Sequence, residues 1–508
     1  MSDSDIYYSA NDLMELDEET DNECKSQPLE PNNDNNTKAK GTVFLYFCAV
    51  TVNLMMLVFG TGVVWTSPMI PKLKSNDTEI NPLGQPVTTV QISMIAGIPL
   101  IAQTMSTLIF PKLPDILGRK RTLLCLAVLM VLANVLLAFA RHLYIFYLAR
   151  SIFNCCYGIG IVTAPIFLNE ISEKHNNGRI GCLMMVFLPL GNLYAYLIGP
   201  VTSVKVFNLL CALPLIPHII CLWLFVPESP VFLASKERRT EALAVLRRLR
   251  SNRSSSEILE EYQLIEEALR ERKQFKKRGV KDLFKKRLLR KACVITLGTC
   301  VAPHLSGVLV IMGFLGPVFT QAGTQLSGDS VAVLVASVKI VTFFIASATV
   351  ETVGRRPLLL FSAGFTGIPL SLLGFYFYWK ETDSSMVQYV TWLPIPCVIV
   401  YVFTYSLGLG PIPNAVMGEL LPNDVKATAL SLITTVVGSV IFVSTFAFPL
   451  VSESLGVHFC IWIFSGFCFL DAVFFYYMVP ETKGKNYQEI VQILNRSRNK
   501  RSEECELC

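Results

Sequence analysis

Long apolar segments separated by short polar connections dominate the chain from residue 43 onward. A transmembrane helix needs about 20 mostly apolar residues, and twelve segments meet that requirement. They cover residues 43–67, 87–110, 123–139, 143–167, 180–199, 206–226, 292–316, 331–350, 358–378, 393–416, 427–451 and 459–478. The pattern predicts an all-α membrane protein with twelve transmembrane helices, six on each side of one long charged segment.

The polar segments divide the chain into five regions. We expect a disordered N-terminal tail over 1–42, a first six-helix bundle over 43–226, a helical linker over 227–291, a second bundle over 292–479 and a C-terminal tail over 480–508. A solvated linker without helices is the alternative. Lys and Arg residues follow spans 2, 8 and 12, so the positive-inside rule places both tails and the linker in the cytoplasm.

Composition places the chain in a bilayer and excludes several functional classes. Charged residues make up 16% of the chain, against about a quarter in soluble domains, and the mean hydropathy is +0.48. The net charge of +5 comes mostly from loops beside spans, so we expect no nucleic-acid partner. No nucleophile–base pair, metal-ligand spacing or Walker phosphate loop stands out, so we expect no enzyme activity, no metal and no cofactor. The polar, acidic N-terminal segment does not have the features of a cleavable signal peptide.

Cysteines and glycosylation signals add minor expectations. The 15 cysteines lie mostly inside apolar segments, where small packing residues are the simplest interpretation. Cys505 and Cys508 are in the polar tail and are weak candidates for lipidation. A glycosylation sequon begins at Asn76 on the predicted outside, although Asn252 begins one on the predicted inside.

A set of charged and glycine motifs occurs once in each half, at nearly constant spacing. The first copy comprises Asp115, Gly118, Arg119, Lys120, Glu170 and Glu228, and the second comprises Glu351, Gly354, Arg355, Arg356, Glu419 and Glu481. The two halves are therefore interpreted as copies of one membrane unit, which is an architecture typical of transporters.

These arginines and acids lie at the predicted cytoplasmic ends of helices, where bidentate ion pairs can join neighbouring helices. We expect such pairs to hold while a central cavity faces outward and to break when the inner side opens. The candidates for gating or structural roles are Asp115, Arg119, Arg150, Glu170, Arg179, Glu228, Glu351, Arg355, Arg356, Glu419 and Glu481. For each residue alone, an ordinary interfacial anchor is the alternative.

In their order along the chain, these motifs resemble those of the sugar porter branch of the major facilitator superfamily. The resemblance covers about residues 43–490. It rests on Asp115, Gly118-Arg119-Lys120, Arg150, Gly158, Pro165, Glu170, Pro227-Glu228-Ser229-Pro230, Leu305-Ser306-Gly307, Gly354-Arg355-Arg356, Gly408, Gly410-Pro411-Ile412-Pro413, Glu419 and Pro480-Glu481-Thr482-Lys483-Gly484-Lys485. Trp65-Thr66-Ser67-Pro68, Pro189, Gly191-Asn192 and Met417-Gly418-Glu419 are similar to the insect facilitated trehalose transporters. The resemblance implies two six-helix bundles that rock about a central sugar site.

The chain departs from the family where the sugar is expected to bind. Pro303 and His304 replace the family's glutamine pair, and Leu309 and Asn414 replace an asparagine and a tryptophan. Polar or ionisable groups inside spans are the candidates for recognition. The predicted substrate-binding residues are Ser306, His304, Asn192, Asn414 and Lys339. The alternatives are a snorkelling lysine, a packed histidine and interhelical hydrogen bonds from the asparagines.

We therefore expect a facilitative plasma-membrane transporter of trehalose or a hexose, with the sugar and the lipid bilayer as partners and an undetermined oligomeric state. Proton-coupled porters carry an acid in span 1, whereas this chain has Gly60 there and no Asp or Glu in the span. Passive transport is favoured, and proton coupling through Lys339 or His304 is an alternative. The sequence is also compatible with transport of a different solute, such as an anion bound by Lys339, and with a non-transporting sugar sensor.

Overall fold

The computed structural model describes residues 42–173, 175–274, 287–382, 385–483, 485 and 489. Within these residues the structure is helical, without β-strands, and 12 helices are long and apolar enough to cross a membrane. The prediction of twelve spans is therefore confirmed. Most of the two predicted tails, including Cys505 and Cys508, lies outside the described residues.

The first bundle contains spans 1 to 6. Its helices are Val43–Val64 (span 1), Thr89–Ile109 (span 2), Arg119–Ala138 (span 3), Leu143–Ile171 (span 4), Asn177–Ile198 (span 5), and Val204–Ala212 with Leu215–Leu224 (span 6). The second bundle contains spans 7 to 12. Its helices are Arg287–Leu305, Val308–Gly313 and Leu315–Ala322 (span 7), Gly328–Val353 (span 8), Arg355–Glu381 (span 9), Pro394–Leu407 with Ile412–Leu420 (span 10), Asn423–Leu455 (span 11) and Val457–Met478 (span 12).

Shorter helices connect the spans. They are Thr66–Leu73, Leu113–Leu117, Pro230–Ser235, Arg239–Leu249, Ser255–Gln274 and the 3-10 helix Ser385–Tyr389. Three of these helices lie between residues 230 and 274, within the predicted linker. We call the side of the bundles that carries these three helices the linker side, and the opposite side the far side.

Several helix boundaries differ from the hydropathy pattern. Span 3 begins at Arg119 rather than at residue 123, and span 4 continues to Ile171, so charged motif residues belong to the helices. Span 7 is broken at Gly307, which adopts φ +77° in the left-handed region that favours glycine. Hydropathy alone does not reveal these ends, because charged first and last turns lower the average of an otherwise apolar helix.

Two symmetric helix pairs join the bundles. Span 2 packs along span 11, and span 5 packs along span 8. In a duplicated unit span 2 corresponds to span 8 and span 5 to span 11, so the two helix pairs are equivalent by symmetry. A continuous apolar core extends from Trp65 and Phe207 at the far side of the first bundle into the second bundle, where it includes Phe319 and Tyr401. A separate core, containing Phe59 and other apolar side chains, fills the first bundle.

Glycines allow spans 1 and 5 to touch along their backbones. A Cβ atom at Gly60 would lie 2.1 Å from the Leu188 carbonyl oxygen, and one at Gly191 would lie 1.8 Å from the Leu57 carbonyl oxygen. Small residues at such crossings permit the close backbone packing that stabilises helix pairs in lipid. These contacts fix span 1 inside the first bundle.

Candidate functional site

A bidentate ion pair joins spans 3 and 4 on the linker side. Arg119 Nε donates to Glu170 Oε2 at 2.9 Å, and Arg119 Nη2 donates to Glu170 Oε1 at 3.0 Å. Asp115 Oδ1 lies 2.8 Å from Arg119 Nη2, and the Ser229 hydroxyl donates to Glu170. The Arg119 side chain is only 6% exposed, so water screens these charges weakly. We call this group, together with Glu228, the first-bundle cluster.

Glu228 caps the start of span 3. Glu228 Oε1 accepts hydrogen bonds from the backbone N–H groups of Arg119, Lys120 and Ser229, each at 2.9 Å. N–H groups at a helix start have no intrahelical partners and carry the positive end of the helix dipole, so a carboxylate is stabilising there. Gly118 precedes the helix with φ +101°, and a Cβ atom at Gly118 would lie 2.4 Å from Glu228 Oε2. The cap therefore requires glycine at this position.

The second bundle repeats this arrangement. Glu481 Oε1 accepts from the Arg355 N–H and Glu481 Oε2 accepts from the Arg356 N–H, both at 3.0 Å. Gly354 precedes span 9 with φ +106°, and Arg355 Nη2 lies 3.3 Å from Glu419 Oε1. Burial raises the pKa of Glu481, but hydrogen bonds from backbone N–H groups outweigh burial and hold the pKa below its ordinary value. We call this group the second-bundle cluster.

The two clusters are not equivalent in strength or membership. The Arg355 side chain is 18% exposed and makes a single, longer contact with its carboxylate. The Arg356 guanidinium donates to a backbone carbonyl of span 12 at 2.7 Å and pairs with no acid among the described residues. Arg179 is exposed and forms no ion pair with the described residues, so it does not join the first-bundle cluster. The Glu351 side chain lies outside the described residues.

A third ion cluster, which the sequence analysis missed, ties the linker helices to span 4. The buried Arg250 donates through Nη1 to the Ile171 carbonyl oxygen at 2.9 Å. Arg250 Nε lies 3.2 Å from Glu173 Oε1, and Arg250 Nη2 lies 2.9 Å from Glu261 Oε1. Arg253 adds a 2.9 Å contact to Glu173. The only sequence signal was an arginine on the apolar side of a linker helix. We call this group the linker cluster.

Hydrogen bonds between the bundles close the far side. Thr66 Oγ1 donates to the Gly313 carbonyl oxygen at 2.5 Å, and the Gly316 N–H donates to Ser67 Oγ at 2.9 Å. The Tyr196 hydroxyl of span 5 donates to a backbone carbonyl of span 7 at 2.6 Å. The first- and second-bundle clusters are intact in this far-side-closed arrangement, and each cluster lies within one bundle. Their breaking on opening of the linker side stays a prediction.

A small cavity lies between the bundles, below the far-side contacts. Its volume is about 80 Å³, and its walls come from spans 1, 2 and 4 of the first bundle and spans 7 and 11 of the second. That volume holds several water molecules but is well below the roughly 300 Å³ at which pockets hold drug-sized ligands. The bundles therefore have to separate before a solute of sugar size enters.

Arg150 lies buried in the wall of this cavity. Its guanidinium lies 4.7 Å from the centre of the Trp65 ring, and its Nη1 donates to the Gly62 carbonyl oxygen at 3.2 Å. The Trp65 indole donates to Asn208 at 2.9 Å, which fixes the ring that supports Arg150. Among the described residues Arg150 has no ion pair, and its Nε has no hydrogen-bond partner. A buried guanidinium with spare donors is suited to bind oxygen acceptors.

None of the five predicted substrate residues lines this cavity. The Ser306 hydroxyl donates to a backbone carbonyl three residues earlier, at the break in span 7. Asn192 is fully buried, and neither its amide nor Nδ1 of His304 has a hydrogen-bond partner among the described residues. Asn414 is exposed on span 10, and Lys339 is half-buried on span 8. The structure therefore does not bring these five side chains together at the cavity.

Comparison with known proteins adds independent information. A family described as "Sugar (and other) transporter" matches residues 35–494. Facilitated trehalose transporters Tret1 of Bombyx mori and Culex quinquefasciatus are each 29% identical to this chain, covering 88% and 89% of it and 86% of each relative. The xylose transporter XylE from E. coli, in a partially occluded inward-open conformation, superposes with a TM-score of 0.73 at 19% identity, over 88% of this chain and 100% of that one. At that identity the superposition shows a shared fold.

Proposed function

The chain belongs to the sugar (and other) transporter family, and from this membership we propose that it is a facilitative sugar transporter working by alternating access. Its relatives are named as facilitated trehalose transporters, and its 12 candidate spans make it a multi-pass membrane protein. The observation that carries the mechanism is the cavity between the bundles, with walls from both bundles and a closed far side. A solute in that position reaches either side only when the bundles move apart.

The ion clusters support a rocking motion of two rigid bodies. The first-bundle cluster ties spans 3 and 4 to the segment after span 6, and the second-bundle cluster ties spans 9 and 10 to the segment after span 12. Neither cluster crosses from one bundle to the other among the described residues. The bundles therefore rock about the span 2–11 and span 5–8 contacts, and the intact clusters hold each bundle together until the linker side opens.

Passive transport is favoured over proton-coupled transport. Span 1, Val43–Val64, contains no Asp or Glu, and Arg150 has no carboxylate partner among the described residues. A proton-coupled cycle needs a group that binds and releases a proton as the cavity changes sides. Because span 1 offers no such group beside Arg150, we expect sugar flux to follow the sugar gradient and to be independent of external pH.

Trehalose is the first substrate to test and a hexose the second. The relatives with 29% identity are named as facilitated trehalose transporters, and they match along nearly the whole chain. The cavity volume of about 80 Å³ is too small for either sugar, so this volume does not discriminate between them. Direct competition between the two sugars is therefore part of the test.

We also propose an orientation and a location. The basic residues after spans 2, 8 and 12 favour a cytoplasmic linker side, with both termini on that side. We propose the plasma membrane as the location, as expected of a transporter that takes up sugar from outside the cell. The far side then faces outward and carries Asn76, which is exposed in the turn after Thr66–Leu73. Glycosidase treatment should increase the mobility of the wild-type protein on gels and leave that of Asn76→Gln unchanged. A shift that persists in Asn76→Gln would contradict glycosylation at Asn76.

Uptake in oocytes tests the proposed function. The experiment measures labelled trehalose, glucose and fructose at two external pH values, with surface expression measured in the same cells. We expect saturable uptake of at least one sugar, equal at both pH values and inhibited by the unlabelled sugar. Absence of uptake at normal surface expression would contradict the proposal, and uptake that rises several-fold at acid pH would contradict the passive mechanism.

A further inference from the structure

The walls of the central cavity are unequal in polarity. The polar lining residues of the first bundle are Thr66, Gln103, Arg150, Asn154 and Tyr157, whereas the second bundle contributes only Thr445. The rest of the second bundle's wall consists of Leu309, Gly313, Phe314 and Ile441. A sugar needs hydrogen bonds for its hydroxyl groups and an apolar surface for its C–H face, and these two requirements fall on opposite walls.

Span 4 presents four of these side chains on one face. Arg150, Phe153, Asn154 and Tyr157 are spaced by three or four residues, which places them in a row along a helix. The Asn154 amide donates through Nδ2 to the Arg150 carbonyl oxygen at 3.0 Å, which fixes the orientation of the amide, and its Oδ1 accepts no hydrogen bond from the described residues. Arg150 supplies donors beside it, because its Nε has no partner among the described residues.

Gln103 completes the polar wall from span 2. It lines the cavity and is half-buried, and its side-chain amide makes no hydrogen bond with the described residues. An amide both donates and accepts, which matches a hydroxyl group that does the same. Arg150 as a donor, Asn154 as an acceptor and Gln103 as both therefore provide a complete set of partners for neighbouring hydroxyls.

We propose that the first bundle recognises the sugar hydroxyls through Gln103, Arg150 and Asn154, and that Phe314 of the second bundle packs against the apolar face of the sugar. The inference rests on the proposed sugar transport. It differs from the prediction made from the sequence, in which the binding residues were Ser306, His304, Asn414 and Lys339 of the second bundle and Asn192 of the first. Because the hydrogen bonds lie on one bundle, the sugar stays with the first bundle while the second bundle moves away from it.

The test compares amide-to-leucine changes on the two bundles. Gln103→Leu and Asn154→Leu are measured in the full-length protein in proteoliposomes, with Asn414→Leu as the matched change on the second bundle. For whichever of trehalose or glucose the wild type transports, we expect KM to rise about three- to tenfold in each first-bundle variant, as for the loss of one hydrogen bond. We expect the KM of Asn414→Leu to stay within about twofold of wild type.

Deoxy analogues of the same sugar separate a direct contact from a structural effect. If Gln103 binds one hydroxyl, the wild type should bind the analogue that lacks this hydroxyl less tightly than it binds the parent sugar. The Gln103→Leu variant, which has already lost that hydrogen bond, should bind the analogue and the parent sugar equally tightly. Equal losses for every analogue in both proteins would overturn the assignment, as would an unchanged KM in both first-bundle variants. A wild type that transports neither sugar would overturn the proposed function and the site together, whereas an unchanged KM would overturn the site alone.

Discussion

Substitution of Gly118 by alanine tests whether the cap at the start of span 3 depends on glycine. Gly118 has φ +101° and ψ 157°, a conformation that is almost restricted to glycine and costs other residues about 1 to 3 kcal/mol. The added Cβ atom would also lie 2.4 Å from Glu228 Oε2, so the carboxylate has to move. Displacing it weakens charge-assisted hydrogen bonds, each worth about 1.5 to 3 kcal/mol. We expect Gly118→Ala to lower stability by about 2 to 4 kcal/mol in total.

The assay is thermal unfolding of the full-length protein in detergent, read from the fraction that remains monodisperse. Gly364→Ala is the matched control, because Gly364 lies within the span 9 helix and its Cβ atom would meet no atom within 4 Å. Alanine there should be neutral or stabilising by up to about 1 kcal/mol. Gly354→Ala should lower stability less than Gly118→Ala, since its Cβ atom would lie 2.9 Å from Glu481 Oε2. A Gly118→Ala protein as stable as wild type would refute the reasoning.

Three further predictions concern the ion clusters. Glu170→Gln should destabilise the protein by about 2 to 3 kcal/mol, which is more than the effect of Glu419→Gln. The reason is that Glu170 makes two short hydrogen bonds to Arg119, which is more deeply buried than Arg355, the partner of Glu419. Melting curves of the two variants measure the difference. Arg250→Met should lower stability by about 3 to 5 kcal/mol and expose the linker helices to protease. Arg270→Met is the control and should change neither stability nor protease sensitivity, because the Arg270 side chain is 71% exposed and forms only a surface ion pair. Because the pKa of Glu481 is lowered in the folded protein, the contribution of its carboxylate to stability is complete above the unfolded pKa and is lost as pH falls through the folded pKa. Glu481→Gln should therefore lower the melting temperature near pH 7 and have the same melting temperature as wild type at acid pH. Equal losses at both pH values would contradict the last prediction.

The fold was largely predictable because a membrane leaves few options for an apolar chain. Twelve apolar stretches specify twelve helices, and the duplicated motifs correctly indicated two related bundles. Helix ends were less predictable. Arg119 belongs to span 3 because Glu228 caps that helix, and a carboxylate more than a hundred residues away in the sequence is invisible to local hydropathy. The break at Gly307 likewise depends on the backbone conformation adopted in the folded bundle.

Contacts among the candidate site residues were predictable only where charge and duplication combined. Arg119 lies against Glu170, as their motifs suggested, because few other partners exist for charges at helix ends in lipid. The linker cluster was missed because Arg250 sits in a charged segment that resembles a solvated helix until its contacts are known. The polar wall was missed for a different reason. Gln103 and Asn154 meet only when spans 2 and 4 pack, so their shared cavity depends on tertiary structure.

Cross-linking the far side tests alternating access most directly. Gly316 and Ser67 lie on opposite bundles, and a Cβ atom at Gly316 would lie 3.0 Å from Ser67 Oγ, a separation that suits a disulfide between two introduced cysteines. The measurement is sugar uptake by Ser67→Cys/Gly316→Cys, oxidised and then reduced, beside each single variant under the same treatment. Alternating access predicts that the oxidised double variant loses uptake and regains it on reduction, while the single variants are unaffected. Wild-type uptake by protein whose cross-link is verified by mass spectrometry would contradict the account.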